Sequence, residues 1–120
     1  MSRGRLELDA EAFERLVVEE LDALPDEMVD GLENVVFVVE DRPEDGSLDL
    51  LGLYEGVAIT ERGQYGFGEL PDRIVLYREP LLAASGDLES LREEIHVTLV
   101  HEIAHYYGID DAQLHRLGWA

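Results

Sequence analysis

Residues 87–108 read DLESLREEIHVTLVHEIAHYYG, and the rest of the chain is organised round them. Asp87 offers a side-chain acceptor just ahead of a run with helical periodicity, the pattern of an N-cap. Leu88, Leu91, Ile95, Leu99, Val100, Ile103, Ala104 and Tyr107 then cover most of the circumference of a helix. A helix apolar nearly all round belongs at the centre of a core, not on a surface. Gly108 stands where such a helix can end in the left-handed conformation.

Inside this helix lies His101-Glu102-Ile103-Ala104-His105. Four residues advance an α-helix by about 400°, so both histidines project from one face, one turn apart. Two imidazole nitrogens at that separation can converge on one metal ion. Glu102 lies about 100° round from His101, beside such an ion without being obliged to bind it. A carboxylate there can take a proton from a water that the ion has acidified, which is the physical content of H-E-x-x-H on a helix. The apolar flanks of the helix lead us to expect dry walls round the site. A bland reading also exists, in which the two histidines merely pair with carboxylates such as Glu94 or Glu102.

A third ligand is sought downstream. Gly108 permits the chain to turn back, and Asp111, three residues further on, is correctly spaced to supply an oxygen. Asp110 competes with Asp111, since either can cap a short last helix carrying Ala112, Leu114 and Leu117. His115 is a better zinc ligand by type at a less regular spacing. His96 lies about 140° round the helix from His101 and falls outside the group. Tyr106, Tyr107 and Tyr65 are candidates to stabilise an oxyanion, although each is more simply a packed aromatic. Trp119 reads as a packing anchor.

Working towards the N-terminus, Arg73 to Arg78 reads as a strand stopped by Pro80, with a short helical turn over Leu81 to Ala84. Residues 62–71 hold Gly63, Gly66, Gly68 and Pro71 and read as loop. Leu50 to Thr60 is apolar and broken by Gly52 and Gly56, one kinked strand or two short ones. Val35-Val36-Phe37-Val38-Val39 is a continuous β-branched and aromatic run, expected to be a buried strand. Phe13, Leu16, Val17, Leu21 and Leu24 recur at helical spacing behind Asp9 as N-cap, and Pro25 ends that helix. One short turn can follow between Asp26 and Leu32.

The composition narrows the chemistry. With no cysteine among 120 residues, thiol catalysis, Cys-ligated zinc and disulfides are excluded, and any metal must be held by His, Asp or Glu. All nine basic residues are arginine, against 28 acidic ones, for a net charge of −19. So acidic a chain lacks the footprint for nucleic acid and is repelled by anionic membranes. There is no phosphate-loop order of glycines before Lys-Ser/Thr, and no G-x-S-x-G elbow. The charged start, Met1 to Arg5, leads into no apolar signal segment, so a soluble, cytoplasmic protein is expected. The length suits one domain, residues 1–120.

The run from His101 to Asp111, followed by Leu114 and Leu117-Gly118-Trp119, resembles the small bacterial zincin-like metallopeptidases, a minimal-zincin family. Leu51 to Gly56 and Ile74 to Tyr77 extend the resemblance upstream. H-E-x-x-H-x-x-G-x-x-D is similar to the motif of snapalysin-type metzincins. The resemblance implies an α+β fold, a minimal zincin-like domain with a short sheet packed over the long motif-bearing helix. It also implies Zn2+ held by His101, His105 and Asp111, with Glu102 as general base, in an enzyme acting on a peptide or protein substrate. The alternative is a non-catalytic binding module, stabilised by its metal, that uses the acidic surface. Three protein ligands and an open position mark the enzyme, whereas closure of the site by His115 as a fourth ligand favours the module.

Overall fold

The computed structural model describes residues 6–56 and 71–119. Along the chain these form α1 (Ala10–Asp22), α2 (Asp26–Val29), β1 (Val35–Glu40), β2 (Gly52–Glu55), β3 (Asp72–Tyr77), α3 (Arg78–Ala83), α4 (Leu88–Tyr107) and α5 (Asp111–Leu117). The class is α+β, with the sheet packed over the long helix, as expected.

Among the described residues the sheet has three strands in the order β1-β3-β2. β1 runs parallel to β3, from Val35 opposite Asp72 to Glu40 opposite Tyr77. β2 runs antiparallel to β3, with Gly52 opposite Leu76 and Glu55 opposite Arg73. The central place belongs to β3, whose Ile74, Val75, Leu76 and Tyr77 are all buried. The apolar run of β1 lies at one side of this sheet and is only half-buried, with Val36 exposed. That corrects the expectation of a buried first strand: an unbroken apolar run does not by itself say which strand lies in the middle. Of the stretch Leu50 to Thr60, β2 occupies 52–55, and residues 57–60 lie outside the described part, as does the expected loop at 62–70.

The helices begin where the sequence supplies acceptors. Asp9 takes the amide of Ala12 at 2.8 Å and caps α1. Asp87 takes the amide of Ser90 at 2.8 Å, and the Ser90 hydroxyl takes the Asp87 amide at 3.2 Å, so the motif helix opens on a reciprocal pair of cap bonds. Its other end is Gly108, at φ 72°, a conformation that costs an L-residue energy and glycine almost none. Helix α3 begins at Arg78, earlier than the expected turn. Pro80 falls in its first turn, where a missing N–H breaks no helical bond.

Helix α4 packs against α1, α3, β2 and β3. Its Leu91, Ile95, Leu99 and Ile103 have no solvent exposure and join Phe13, Leu16 and Val17 of α1 with Ile74 and Leu76 of β3 in one cluster. Burial is not complete round the helix, however. Glu89, Glu93, Val97, His101 and His105 recur every fourth residue and are all exposed. A row of that period drifts about 40° per step, so a strip that winds slowly round α4 faces water and carries apolar Val97 with it. Ion pairs from Arg92 to exposed Glu19 (2.8 Å) and half-buried Glu20 (3.1 Å) tie α4 to α1, a contact worth little energy near a surface.

The two sides of α4 make a stability prediction. Leu99→Ala should cost about 2–5 kcal/mol in urea unfolding, because it opens a cavity in the sealed ladder. Val97→Ala, at a position 42 % exposed, should stay within about 0.5 kcal/mol of wild type.

Candidate functional site

The candidate residues sit where two stripes of α4 meet. His101 and His105 belong to the exposed stripe. Glu102 is one residue on and falls on the next stripe, Thr98-Glu102-Tyr106, which is buried. Sequence adjacency and a rotation of about 100° thus set a buried carboxylate beside two solvent-facing imidazoles. The side chain of His105 is 61 % exposed and that of Glu102 only 11 %. The expected dry walls therefore enclose the carboxylate and not the histidines.

Nδ1 of His105 lies 3.1 Å from Oε1 of Glu102. If Nδ1 carries the proton and donates it, Nε2 is left as the basic nitrogen, the arrangement by which carboxylates orient metal-binding histidines. Burial pushes the Glu102 carboxyl above its usual range. The positive charge and hydrogen bond available from His105, the charge of His101 and a hydrogen bond from the main-chain N–H of Tyr54 pull the other way. Burial wins, so Glu102 holds a proton more readily than a carboxylate in water.

Past Gly108 the two rival aspartates separate by role. Asp110 caps α5: its carboxylate takes the Gln113 amide at 2.8 Å, while the Gln113 side-chain oxygen takes the Asp110 amide at 3.1 Å. Asp111 is the first residue of α5 and is exposed, with the cap bond made by its neighbour. His115 is also exposed, further along α5. Among the described residues no three His, Asp or Glu side chains converge as a metal site. The structure thus brings His101, Glu102 and His105 together on one helix and does not bring Asp111 or His115 to them. The donor chemistry of the helix pair, two exposed imidazoles one turn apart with a carboxylate on the Nδ1 of one, fits a divalent ion.

Neither phenol beside the motif is directed at this group. The hydroxyl of Tyr106, a buried residue, accepts the Glu33 amide at 3.2 Å, and that of Tyr107 donates to the Met28 carbonyl at 2.9 Å. Both tie the end of α4 to the segment round α2. Trp119 packs edge-on to Tyr107 with ring centroids 6.0 Å apart, and its indole N–H reaches Glu27 at 3.3 Å, in keeping with an anchor. Tyr65 lies outside the described residues. One partner of Glu102 escaped the sequence reading: the Tyr54 amide, on β2. Main-chain donors have no letter, and only the glycine break at Gly52 hinted that this strand comes close to something.

Residues 32–119 match the sequence model of the zincin-like metallopeptidases. The chain belongs to this family. It is also similar to a solved structure described as a conserved hypothetical protein from Thermo thermophilus. The two are 28 % identical, with a TM-score of 0.60, over 83 % of this chain and 94 % of that one. No match was found among curated proteins. The family match takes in every candidate site residue and all three strands, while α1 and α2 precede it. Among the described residues of this zincin-like chain, no helix is long and apolar enough to cross a membrane.

The separation of Asp110 from Asp111 can be tested by stability. Asp110→Ala should lower the unfolding free energy by about 1 kcal/mol through loss of the cap, measured by urea unfolding. Asp111→Ala should change it by no more than a few tenths.

Proposed function

We propose that this zincin-like protein is a zinc-dependent peptidase. The observation that carries the reading is the juxtaposition on α4 of buried Glu102 with exposed His101 and His105, at 3.1 Å in the case of His105. His101 and His105 would hold the zinc, with Asp111, three residues past the Gly108 turn, as third ligand. A zinc ion so held supplies a Lewis acid that polarises a carbonyl and makes water acidic near neutral pH. Glu102 takes a proton from the attacking water on a carboxylate oxygen and returns it to the leaving amine. Its raised affinity for that proton, a result of burial, suits the task. An extended peptide is held by main-chain hydrogen bonds along a strand edge beside α4. The acidic surface raises the local concentration of cations round the histidines.

A second reading keeps the fold as a binding module without hydrolysis. Two observations favour it: Glu102 and His105 satisfy one another as an ordinary helix pair, and the described donors do not close into a set of three.

Metal content and hydrolysis separate the two. Purified protein should carry about one zinc per chain by elemental analysis, lost in His101→Ala and His105→Ala and weakened in Asp111→Ala but not in Asp110→Ala. Mutants that load as much zinc as wild type would mean the ligands are misassigned. Glu102→Gln should retain the metal, since its side chain is offset from the ligand pair. It should lose on the order of 10²–10⁴ in the rate of cleavage of unstructured peptides, because an amide cannot carry the proton. A wild type that binds zinc and cleaves none of them would favour the module.

A further inference from the structure

Strand β2 approaches α4 more closely than a side chain allows. A Cβ built on Gly52 would lie 2.6 Å from Cγ2 of Thr98, 3.1 Å from the carbonyl oxygen of Val75 and 3.5 Å from Cγ of Glu102. A carbon cannot stand 2.6 Å from another non-bonded carbon, so with any residue but glycine either the Thr98 side chain turns out of its place on the ridge or strand and helix part. Thr98 and Glu102 are four residues apart and form one ridge of α4, and the backbone of Gly52 rests on it. Two residues along β2, the Tyr54 ring meets Tyr106 edge-on at 6.3 Å, on the next turn of the same ridge.

The pairing of β2 decides what it turns towards the helix. Tyr77 donates its amide to the Leu51 carbonyl at 3.0 Å, which makes Leu51 and Tyr77 a hydrogen-bonded pair. With the register of the two strands, the next such pair is Leu53 with Val75. Gly52 and Tyr54 fall between these pairs, and their main-chain N–H and C=O groups point away from β3. The stem of Glu102 lies against this stretch, its Cγ 3.5 Å from a Cβ built on Gly52, and of the outward groups the Tyr54 N–H is the one that favours the charged carboxylate.

We propose that Gly52 is a positioning residue for Glu102: its missing side chain seats β2 on the Thr98-Glu102 ridge, so that the Tyr54 amide fixes the carboxylate from one side while His105 Nδ1 fixes it from the other. A glutamate carboxylate, three rotatable bonds from the main chain, has several rotamers, and two directed donors select one. The proposal deepens the peptidase reading and rests on Glu102 as the proton carrier for its functional meaning. The contact itself is read without any hydrolysis.

The experiment is amide chemical shift and hydrogen exchange, by NMR, in wild type, Glu102→Ala, Gly52→Ala, Thr98→Ser and the double variant Gly52→Ala with Thr98→Ser. Glu102→Ala should shift the Tyr54 amide and speed its exchange by about tenfold or more, as expected for a lost bond to a charged acceptor. The Leu53 amide, bonded to β3, should hold and serves as the internal control. Gly52→Ala should give the same signature at Tyr54. Thr98→Ser removes the methyl that a Cβ would strike, so the double variant should return the Tyr54 amide towards its wild-type position. A Tyr54 amide indifferent to Glu102→Ala overturns the proposal, as does one unmoved in Gly52→Ala. Should Gly52→Ala fail to fold, the double variant decides: recovery of the fold and of the Tyr54 signal supports the seat, and failure of both rejects it. Loss of peptide cleavage alone bears on the peptidase reading, and the Tyr54 signal alone bears on this one.

Discussion

The pitch of one helix governs this molecule. At about 3.6 residues per turn, every fourth residue of α4 falls about 40° further round, and three neighbouring, slowly winding stripes take on three different tasks. Leu91-Ile95-Leu99-Ile103 closes the core. Thr98-Glu102-Tyr106 meets β2, and Glu93-Val97-His101-His105 meets water. The chemistry of the site follows from the boundary between the last two. A single step along the chain crosses from an exposed imidazole to a buried carboxylate, and no loop or second domain is needed to juxtapose them. Because the core ladder fixes the rotation of the helix, the hydrophobic contacts also set which side of the boundary Glu102 occupies.

Much of this was legible in the sequence because it is local. Asp9, Asp87 and Gly108 announce the ends of their helices, since a cap needs only an acceptor or a tolerance of positive φ at a known offset. The histidine pair was legible for the same reason. Burial was less so. The run from Val35 to Val39 looks like a central strand, but its place at one side of the described sheet is decided by β3, more than thirty residues later. Leu88 was one of the residues that made α4 look apolar nearly all round, yet it is exposed, as is Val97. Asp110 and Asp111 are identical as letters, and only the reciprocal bonds to Gln113 separate them. The Tyr54 amide could not be read at all.

The site balances two opposing pulls on one carboxylate. Its seat in the ridge disfavours the charged form, and the imidazoles and the β2 amide favour it. Such a balance is sensitive to small displacements, because hydrogen bonds weaken steeply with distance while the cost of holding a charge away from water does not. The close packing of Gly52 on the helix therefore matters more than the burial of one small residue would suggest.

The match to the zincin-like metallopeptidases opens at Leu32, yet the cluster beneath α4 includes Phe13, Leu16, Val17, Leu24 and Met28, all before that point. The latches run the same way, for Tyr107 and Trp119, at the far end of the match, hold Met28 and Glu27. The boundary of likeness to relatives is thus not a boundary of folding. A fragment cut to the matched region would keep every candidate ligand and the base, and would present to solvent the flank of α4 that α1 now covers. Residues 6–31 hold none of the candidate ligands or the candidate base, and they are part of the platform that holds the rest in register.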